Sequence, residues 1–438
     1  MTGYDGVRAV VAGAGVSGAA AARVLRERGA EVTVVDARGG EDVLVTDTVP
    51  AGTELVVTSP GWRPDSPLLL DAAAKGIEVY GEVELAWRVR DPAVPWLAVT
   101  GTNGKTTTVK MLESVLTAAG HRTVAAGNVG LPLLDAVTQP YDVLAVELSS
   151  FQLHWSSTVA PLAGALLNLA PDHLDWHGSM GEYGRAKAKV WARGISIANA
   201  DDEPARTLLS RAPGRRVTFT LRTPRPGELG LVEDLLVDRA FPDVAGEATE
   251  LASLADLTVT GGHNVANALA AAALARAYGV PAGAVRTGLQ QFTADPHRNQ
   301  LVAEAGGVRW VDDSKATNPH AAAASLAAYE RVVWIAGGLL KGADVEDLVR
   351  NAAPHLAAVV LLGSDRRPIR DALSRHAPDV PVQEVSRLDT EAMSEVVAAA
   401  RRLARPGDTV LLAPAAASMD CFRDYKERGD LFAALARA

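Results

Sequence analysis

A chain of 438 residues is long enough for about two to four domains at the usual size of roughly 100–200 residues each. Hydrophobic residues make up 48% of the sequence and charged residues 22%, which is ordinary for a globular protein with a large core. The net charge of −9 excludes a global basic field that would recruit nucleic acid or a membrane surface, so an anionic ligand must be held by local positive charge.

Cysteine usage and the N-terminal sequence both favour the reducing cytoplasm. The single cysteine, Cys421, cannot form an intramolecular disulfide. The N-terminus lacks the charged-then-apolar pattern of a signal peptide, and no apolar run approaches the roughly 18 residues of a membrane span. We therefore expect a cytoplasmic protein that neither inserts into membranes nor binds nucleic acid.

The first predicted α/β unit carries a glycine-rich nucleotide-binding pattern. The predicted strand Arg8–Ala12 leads into Gly13-Ala14-Gly15-Val16-Ser17-Gly18, and the strand Glu31–Val35 ends at Asp36, which could meet a ribose. Alone, this pattern favours a dinucleotide. The unit ends near residue 91 and holds only one small open sheet, so a nucleoside diphosphate fits it better. Ser59 ends another predicted strand and could contact the same ligand.

A phosphate-binding loop opens the second predicted unit. Gly101-Thr102-Asn103-Gly104-Lys105-Thr106-Thr107 lies between an apolar predicted strand and the helical pattern Thr108–Ala119. Lys105 would reach the β- and γ-phosphates of ATP, and the Thr106 hydroxyl would ligate Mg²⁺. The spacing departs from the usual Walker pattern, which would place a glycine at Val99. The alternative is a glycine-rich turn before an ordinary helix.

Polar residues follow two further strands predicted in this unit. Glu147 comes after Val143–Val146, and His173 comes shortly after Gly164–Leu169. Phosphates sit at the carboxyl ends of the strands in a P-loop sheet, so both side chains are candidate Mg²⁺ ligands. The alternatives are a helix N-cap for Glu147 and a surface loop residue for His173. Lys187 lies on a predicted helix, where a solvated basic face is the ordinary interpretation.

A long helix and a third unit complete the predicted fold. Asn264 and Asn267 lie one turn apart on a helix that runs to Tyr278, ready to hydrogen-bond a polar ring such as adenine. Further strands follow after Asp295. The expected fold class is α/β with three domains in series, namely an N-terminal Rossmann-like domain (1–91), a central P-loop ATPase-like domain (92–296) and a C-terminal Rossmann-like domain (297–438).

Taken together, these motifs resemble the Mur ligases of bacterial cell-wall synthesis. The resemblance covers essentially the whole chain in the same order, through Gly101–Thr107, Glu147–Gln152, Asp172-His173, Lys187, His263–Asn267, His297-Arg298, Asp313–Asn318 and Gly337–Asp344. Three segments are most similar to the family member that adds glutamate: Gly13–Gly18, Asp313–Asn318 and Ala417–Asp420. Folylpolyglutamate synthases share the later domains but lack the Gly13–Gly18 domain.

The resemblance implies an ATP-dependent amide-bond ligase that couples glutamate to UDP-N-acetylmuramoyl-L-alanine through an acyl phosphate, as a monomer. Positioning and charge neutralisation carry most of such phosphoryl transfer. The implied catalytic residues are Lys105, Glu147, His173 and Lys187. Two Mg²⁺ ions would be held by Thr106, Glu147, His173 and a carbamate on Lys187. ATP would be bound by Gly101–Thr107, Asn264, Asn267, Arg298 and Asp313.

The same resemblance implies two substrate sites. The UDP-sugar would contact Val16, Ser17, Asp36, Arg38, Ser59, Asn128, Ser149 and Gln152. Glutamate would contact Thr317, Lys341, Ser418, near the start of a predicted C-terminal helix, and Tyr425. Ala37 stands where relatives often have a hydroxyl residue, which puts the uracil contact there in doubt. The alternative for Lys341 is a surface residue of a glycine-rich turn.

Two functions outside the ligase class are weighed against this interpretation. A nicotinamide oxidoreductase would rest on Gly13-x-Gly15-x-x-Gly18 alone and would leave Lys105 and the candidate metal ligands unexplained. A nucleotide-binding regulator without turnover would not need competent residues at every catalytic position. Phosphate release that requires both the UDP-sugar and an amino acid separates these possibilities.

Overall fold

The computed structural model describes residues 3–244, 246–259 and 261–438, and these residues form three β-sheets. Contacts divide the chain into two compact units, one of Met1–Thr258 with Val265–Phe292 and one of Thr293–Ala438 with Val259–Asn264. The first and second sheets belong to the first unit, and the third sheet belongs to the second unit. The predicted α/β class is confirmed. Within the described ranges, no helix is both long enough and apolar enough to cross a bilayer.

The first sheet has five parallel strands in the order β3-β2-β1-β4-β5, which is the order of a Rossmann-like half. Its elements are β1 (Arg8–Ala12), α1 (Val16–Glu27), β2 (Glu31–Val35), β3 (Val43–Leu44), β4 (Leu55–Thr58), α2 (Pro67–Ala74), β5 (Glu78–Gly81) and α3 (Glu82–Val89). Strand β4 and all of β1 except Arg8 are buried, because helices cover both faces of a parallel sheet. The loops after β1, β2 and β4 therefore meet at one edge.

The second sheet has nine strands in the order β14-β13-β12-β11-β10-β9-β6-β8-β7, of which β12–β14 pair antiparallel. Its strands are β6 (Trp96–Thr100), β7 (Ala125–Gly127), β8 (Leu144–Glu147), β9 (Ala163–Leu166), β10 (Ile195–Asn199), β11 (Arg216–Phe219), β12 (Glu228–Val232), β13 (Leu235–Asp238) and β14 (Thr249–Ser253). The accompanying helices are α4 (Lys105–Ala118), α5 (Leu133–Ala136), α6 (Ser150–His154), α7 (Leu174–His177), α8 (Met180–Ala188), α9 (Glu203–Leu209), α10 (Gly262–Tyr278) and α11 (Ala282–Gln291). Strand β6 is wholly buried between β8 and β9.

The third sheet has six strands in the order β15-β16-β20-β17-β18-β19, parallel apart from the edge strand β15. Its elements are β15 (Gln300–Ala305), β16 (Val308–Asp312), α12 (Pro319–Leu326), β17 (Val332–Gly337), α13 (Glu346–Ala352), β18 (Leu356–Leu362), α14 (Arg366–His376), β19 (Val382–Glu384), α15 (Ala392–Leu403), β20 (Thr409–Leu412) and α16 (Tyr425–Arg437). Loops after β16, β17 and β20 share its carboxyl edge, where ligands bind in such sheets.

Candidate active site

The phosphate loop begins where β6 ends. Val99, where the usual Walker pattern would have a glycine, is inside the buried strand and pairs with Glu147 of β8. The loop turns at Gly104, whose φ of 84° is left-handed. A Cβ at Gly104 would lie 2.4 Å from Asn267 Oδ1, so α10 approaches the loop too closely for any other residue. The loop and one of the predicted adenine-binding residues therefore lie together in the first unit.

Asn168 fixes the phosphate loop, and the sequence analysis missed it. Its side-chain Oδ1 accepts from Asn103 N at 2.9 Å, and its Nδ2 donates to Asn103 O at 3.1 Å. Its backbone carbonyl accepts from Thr102 N at 3.0 Å. The available signal was a polar residue inside the predicted apolar run Gly164–Leu169, whose strand, β9, ends at Leu166. A loop held by three such bonds keeps its shape without a ligand.

Two lysines converge on one backbone carbonyl of the phosphate loop. Lys105 Nζ donates to Gly101 O at 2.9 Å, and Lys187 Nζ donates to the same oxygen at 2.8 Å. Lys187 lies on α8 and is 2% exposed, so the alternative of a solvated basic face is wrong. Burial, together with the nearby charge of Lys105, lowers the pKa of Lys187 well below its usual range. Lys187 is therefore suited to be a neutral amine in the folded protein.

Tyr183 supports the buried lysine from the preceding turn of α8. Its hydroxyl shares a hydrogen bond of 3.1 Å with Thr102 Oγ1, and Lys187 Nζ lies 4.7 Å from the centroid of its ring. Thr102 Oγ1 also accepts from Ala170 N at 3.0 Å. Tyr183 thus links α8 to the phosphate loop. The sequence analysis gave this residue no role.

Glu147 carries an unsatisfied oxygen at the end of β8. Asn128 Nδ2 donates to Glu147 Oε1 at 2.8 Å, whereas Oε2 is buried and has no hydrogen-bond partner among the residues that the structure describes. An unpaired buried carboxylate oxygen is costly unless a cation or donor reaches it, which fits a Mg²⁺ ligand. Asn128, predicted to contact the UDP-sugar, is used here to orient Glu147.

His173 stands before α7 with a left-handed backbone, at a φ of 54°. Its side chain is 45% exposed, and burial of the rest, with the charge of Lys105, lowers its pKa. A neutral imidazole can offer a lone pair to a metal. The ring of Phe151 lies 4.7 Å from the His173 ring, centroid to centroid, and restrains it. The donors around the phosphate loop therefore suit Mg²⁺. In the described part of the chain, no group of three or more His, Cys, Asp or Glu side chains is placed so that it alone could hold a metal ion.

The nucleotide loop of the first sheet is closed by Asp36. Asp36 Oδ2 accepts from Ala14 N at 2.9 Å, and Oδ1 accepts from Arg38 Nε at 3.1 Å. The hydrogen bond from Arg38, followed by those from backbone N–H groups, holds the pKa of Asp36 far below its usual range. Ser59 Oγ is buried without a hydrogen-bond partner in the described part of the chain. It lies 3.3 Å from where a Cβ on Gly18 would be, so it borders the glycine-rich turn.

The remaining predicted UDP-sugar residues differ in exposure. Val16 is 75% exposed at the start of α1, and Ser17 is half-buried beside it. Ser149 and Gln152 form a capping box at the start of α6. Gln152 is buried, and both ends of its amide bond to protein groups. Gln152 could reach a substrate only by giving up one of these bonds.

The predicted ATP residues are divided between the two units, because Asn264, Arg298 and Asp313 belong to the second. Asn264 is buried and Arg298 is half-buried. Asp313 follows β16, and burial raises its pKa to about 6. Its Oδ1 accepts from Asn299 N at 3.2 Å. Within the second unit, this carboxyl lies at the carboxyl edge of the sheet, where a ribose could be hydrogen-bonded.

Two loops predicted to bind glutamate are joined edge to edge. Leu339 and Ala417 exchange both backbone hydrogen bonds, at 2.8 and 3.0 Å. Lys341 follows on the first loop, exposed and with a left-handed φ of 53°, which is uncommon for a residue with a side chain. Ser418 is buried on the second loop. The structure therefore brings the loops of Lys341 and Ser418 to one edge of the third sheet.

The expectation that Ser418 lies near the start of the C-terminal helix is wrong. Helix α16 begins at Tyr425, because Asp424 caps it by accepting from the N–H groups of Lys426 and Glu427. Tyr425 is thus the first helical residue, and its ring lies 4.0 Å from Lys315 Nζ. The predicted fourth member of the glutamate set, Thr317, is half-buried after β16 on the same loop as Lys315.

Arg428 is a second residue that the sequence analysis missed. It is fully buried, and its Nη2 donates to Ser314 O at 2.7 Å while Nη1 donates to Ala416 O at 3.2 Å. One guanidinium thereby ties the loop after β16 to the loop after β20. Sequence reasoning gave no reason to expect a buried arginine on a helix that is otherwise amphipathic.

His297 anchors the start of the third sheet. Its Nδ1–H donates to the buried Asp312 carboxylate at 2.7 Å, and its backbone O accepts from Lys315 N at 3.2 Å. Its Nε2 lies 3.5 Å from Asp430, and a Cβ on Gly429 would collide with the ring. The hydrogen bond to Asp312 raises the pKa of His297 above its ordinary value.

We expect the His297–Asp312 hydrogen bond to stabilise the protein more strongly near pH 6 than at alkaline pH. Since the pKa of His297 is raised in the folded state, its contribution is complete below the unfolded value of about 6.5 and is lost as the pH rises through the folded value. Urea unfolding should show His297→Gln to be less stable by about 1–3 kcal/mol at pH 6, with a smaller difference at pH 9. His355→Gln, in the single turn before β18, is the control. A difference that grows with pH would contradict the assignment.

Comparisons with known proteins show similarity over nearly the whole chain. Residues 99–275 match the Mur ligase middle domain, and residues 297–416 match the Mur ligase glutamate ligase domain. A UDP-N-acetylmuramoylalanine--D-glutamate ligase from Thermobifida fusca is 60% identical, with 99% of this chain and 98% of that protein covered. The ligase of the same name from Mycobacterium avium is 49% identical, with 99% of this chain and 97% of that protein covered.

Solved structures with the same fold are more distant in sequence. MurF from Acinetobacter baumannii aligns with a TM-score of 0.64 at 20% identity and covers 99% of this chain and 91% of its own. A pseudomurein peptide ligase type C from Methanothermus fervidus aligns with a TM-score of 0.62 at 18% identity and covers 97% of this chain and 99% of its own. At such identities these likenesses concern the fold alone.

Proposed function

This chain belongs to the Mur ligase family, and we propose that it joins D-glutamate to UDP-N-acetylmuramoyl-L-alanine with conversion of ATP to ADP and phosphate. The family catalyses the ATP-dependent addition of amino acids to UDP-N-acetylmuramoyl peptides. Relatives that carry the name of the glutamate-adding enzyme match over nearly their whole length. The reaction belongs to peptidoglycan precursor synthesis in the cytoplasm, and we propose that the enzyme acts as a monomer.

The observation that carries the proposal is that Lys105 and Lys187 both donate hydrogen bonds to the Gly101 carbonyl. A phosphate loop alone would suit many nucleotide-binding proteins. A second lysine, buried against that loop with a lowered pKa, has no use in a simple phosphate cradle. It is explained if the amine takes up CO₂ and presents an anionic oxygen to a metal beside the phosphates.

In the first step the L-alanyl carboxylate attacks the γ-phosphorus of ATP, and the bond to ADP breaks, which leaves an acyl phosphate. Lys105 would move from the Gly101 and Thr102 carbonyls to the β- and γ-phosphates. Backbone N–H groups at the start of α4 would hold the same phosphates. These groups neutralise the charge that would otherwise repel the attacking carboxylate.

In the second step the amino group of glutamate attacks the acyl carbon, and the tetrahedral intermediate expels phosphate to leave the amide. The amine must lose a proton, and the phosphate oxygens of the acyl phosphate are the nearest bases that the reaction itself supplies. Positive charge at the phosphate loop would stabilise the developing oxyanion and the leaving phosphate.

Mg²⁺ fits the donors present, since Glu147 Oε2 is a buried oxygen that no described residue hydrogen-bonds, and His173 and Lys187 lie by the same loop. We propose Thr106, Glu147, His173 and carbamylated Lys187 as the ligands. When bound, the metal ions would neutralise phosphate charge and orient the attacking and leaving oxygens. ATP would be held by Gly101–Thr107, Asn264, Asn267, Arg298 and Asp313. The UDP-sugar would be held by Val16, Ser17, Asp36, Arg38, Ser59, Asn128, Ser149 and Gln152.

Glutamate would bind at the joined loops of the third sheet, with Thr317, Lys341, Ser418 and Tyr425. Lys341→Ala should raise the glutamate KM about ten- to a hundredfold, because a charge-assisted hydrogen bond contributes roughly 1.5–3 kcal/mol. The KM values for ATP and the UDP-sugar should change little. Arg367→Ala, at an exposed position on α14, is a control for lost surface charge. Equal damage to all three substrates would make Lys341 structural, and no change would remove it from the pocket.

Phosphate release from ATP tests the whole proposal. It should require UDP-N-acetylmuramoyl-L-alanine and D-glutamate together, and it should not occur with either alone. A panel of L-glutamate, D-aspartate, L-lysine and meso-diaminopimelate tests the amino-acid choice. Release without an amino acid, or dependence on a nicotinamide nucleotide, would contradict the proposed reaction.

A further inference from the structure

Glu82 lies between the nucleotide loop and the phosphate-loop sheet without a role in the reaction described so far. It is the first residue of α3, directly after β5, whose last residue Gly81 pairs with Thr58 of β4. It therefore shares the sheet edge that carries the glycine-rich turn and Ser59. Its side chain is buried, at 6% exposure for the residue.

A hydrogen-bond chain runs from Glu82 to the start of α6. Gln152 Nε2 donates to Glu82 Oε1 at 3.0 Å, while Gln152 Oε1 accepts from Ser149 N at 2.9 Å. Gln152 N donates to Ser149 Oγ at 3.2 Å. An amide has distinct donor and acceptor ends, so the bond to Glu82 fixes which end of Gln152 faces Ser149. The side-chain acceptor of the Ser149 backbone N–H, and with it the turn at the start of α6, thus depends on a residue of α3.

The two elements that carry this chain are held together independently of it. Gly81 N donates to Trp155 O at 2.9 Å, and a Cβ on Gly81 would lie only 3.0 Å from Trp155 Cβ. Two residues further along α3, Glu84 accepts from Ser157 N at 2.8 Å and from Thr158 N at 2.9 Å. Loss of the Glu82 bond should therefore leave α3 and α6 packed and change only the turn at Ser149.

The second oxygen of Glu82 suits a site next to an anion. Oε2 is buried and has no hydrogen-bond partner among the described residues. Burial raises the pKa of Glu82 to about 7, so the neutral acid is well populated near neutral pH. A neutral acid accepts from Gln152 as a carboxylate does, but it adds no full negative charge beside a diphosphate.

We propose that Glu82 is a positioning residue, whose hydrogen bond to Gln152 orients the Ser149–Gln152 turn for the UDP-sugar. The inference rests on the proposed function and adds a residue of the first sheet to its substrate site. It predicts that loss of the Glu82 acceptor weakens binding of the UDP-sugar but not of ATP or glutamate. It also predicts that Glu82 need not be charged.

The test compares three substitutions by calorimetric binding of UDP-N-acetylmuramoyl-L-alanine and by steady-state kinetics. Glu82→Met keeps the volume but removes the acceptor, and it should weaken UDP-sugar binding about three- to tenfold, as expected for one neutral hydrogen bond. The KM values for ATP and glutamate should stay within about twofold. Glu82→Gln keeps an acceptor for Gln152 and should bind like the wild type. Glu82→Asp shortens the side chain by one methylene group, which moves the carboxyl group away from Gln152. It tests loss of the same hydrogen bond if Glu82→Met does not fold.

Glu84→Gln is the matched control, because it alters a buried acid of the same helix that bonds to Ser157 and Thr158 instead of Gln152. It should lower the melting temperature and leave UDP-sugar affinity unchanged. Wild-type affinity in both Glu82→Met and Glu82→Asp would overturn the positioning role, as would equal losses for all three substrates. A wild-type protein that does not bind the UDP-sugar would overturn the proposed function, and the role of Glu82 with it.

Discussion

Lys105→Ala is expected to lower turnover about 10²- to 10³-fold while the protein stays folded, the loss seen when one preorganised electrostatic group is removed. The side chain donates to the Gly101 and Thr102 carbonyls, and both carbonyls belong to a turn that Asn168 holds separately. The missing charge would therefore be felt at the phosphates of ATP rather than in the core.

Phosphate release under saturating substrates measures the loss, and circular dichroism with thermal melting checks the fold. Lys110→Ala is the matched control, since Lys110 lies on the same helix, α4, beyond the loop. We expect its activity to stay within about twofold of the wild type, as is usual for a substitution away from the site. A folded Lys105→Ala protein that retains more than a tenth of wild-type activity would remove Lys105 from the catalytic set.

The sheets could be predicted because their strands are short apolar runs that end in glycine or a polar residue. Arg8–Ala12 and Glu31–Val35 have the predicted bounds, and Gly262–Tyr278 is helical as expected. Parallel strands buried on both faces give such runs, and this pattern is local in sequence. The domain boundaries at 91/92 and 296/297 stay predictions, although each of the three sheets lies within one of the predicted domains.

The environment of each site residue could not be predicted, because it depends on contacts between distant segments. The sequence around Lys187 is polar and suits a solvated helix face, yet Lys187 reaches a carbonyl 86 positions away. Asn168 contacts Asn103 across 65 positions. Neither contact has a local pattern, so only the assembled sheet reveals that one lysine is buried and one asparagine holds the loop.

The start of α16 was misplaced for a different reason, since its signal was local and was overlooked. Asp424 is followed by Tyr425, Lys426 and Glu427, which is an N-cap acid with a glutamate at the third helical position. This pattern favours a helix start at Tyr425. The apolar and small residues before Ser418 instead continue β20 into a turn that joins the loop after β17.

Lys187→Arg is expected to be as inactive as Lys187→Ala, although arginine keeps the positive charge. A guanidinium cannot form the carbamate that we propose as a Mg²⁺ ligand, and its bulk has no room at a position that is 2% exposed. Initial rates of the wild-type enzyme should fall in buffer stripped of CO₂ and should recover when bicarbonate is added. Protein incubated with ¹³C-bicarbonate should give a carbamate signal in its NMR spectrum that both variants lack.

Lys189→Arg is the matched control, because Lys189 follows directly after α8 and donates to the carbonyls of His154 and Ser156 instead of the phosphate loop. Its rate should respond to CO₂ as the wild-type rate does. The NMR signal reports the carbamate itself, and the melting temperature reports the fold. A Lys187→Arg protein that is inactive merely because it is misfolded would show a lowered melting temperature. An active Lys187→Arg enzyme, or a wild-type rate that is unchanged without CO₂, would mean that the buried amine itself acts at the phosphate loop. In that case Glu147 and His173 would have to hold the metal without it.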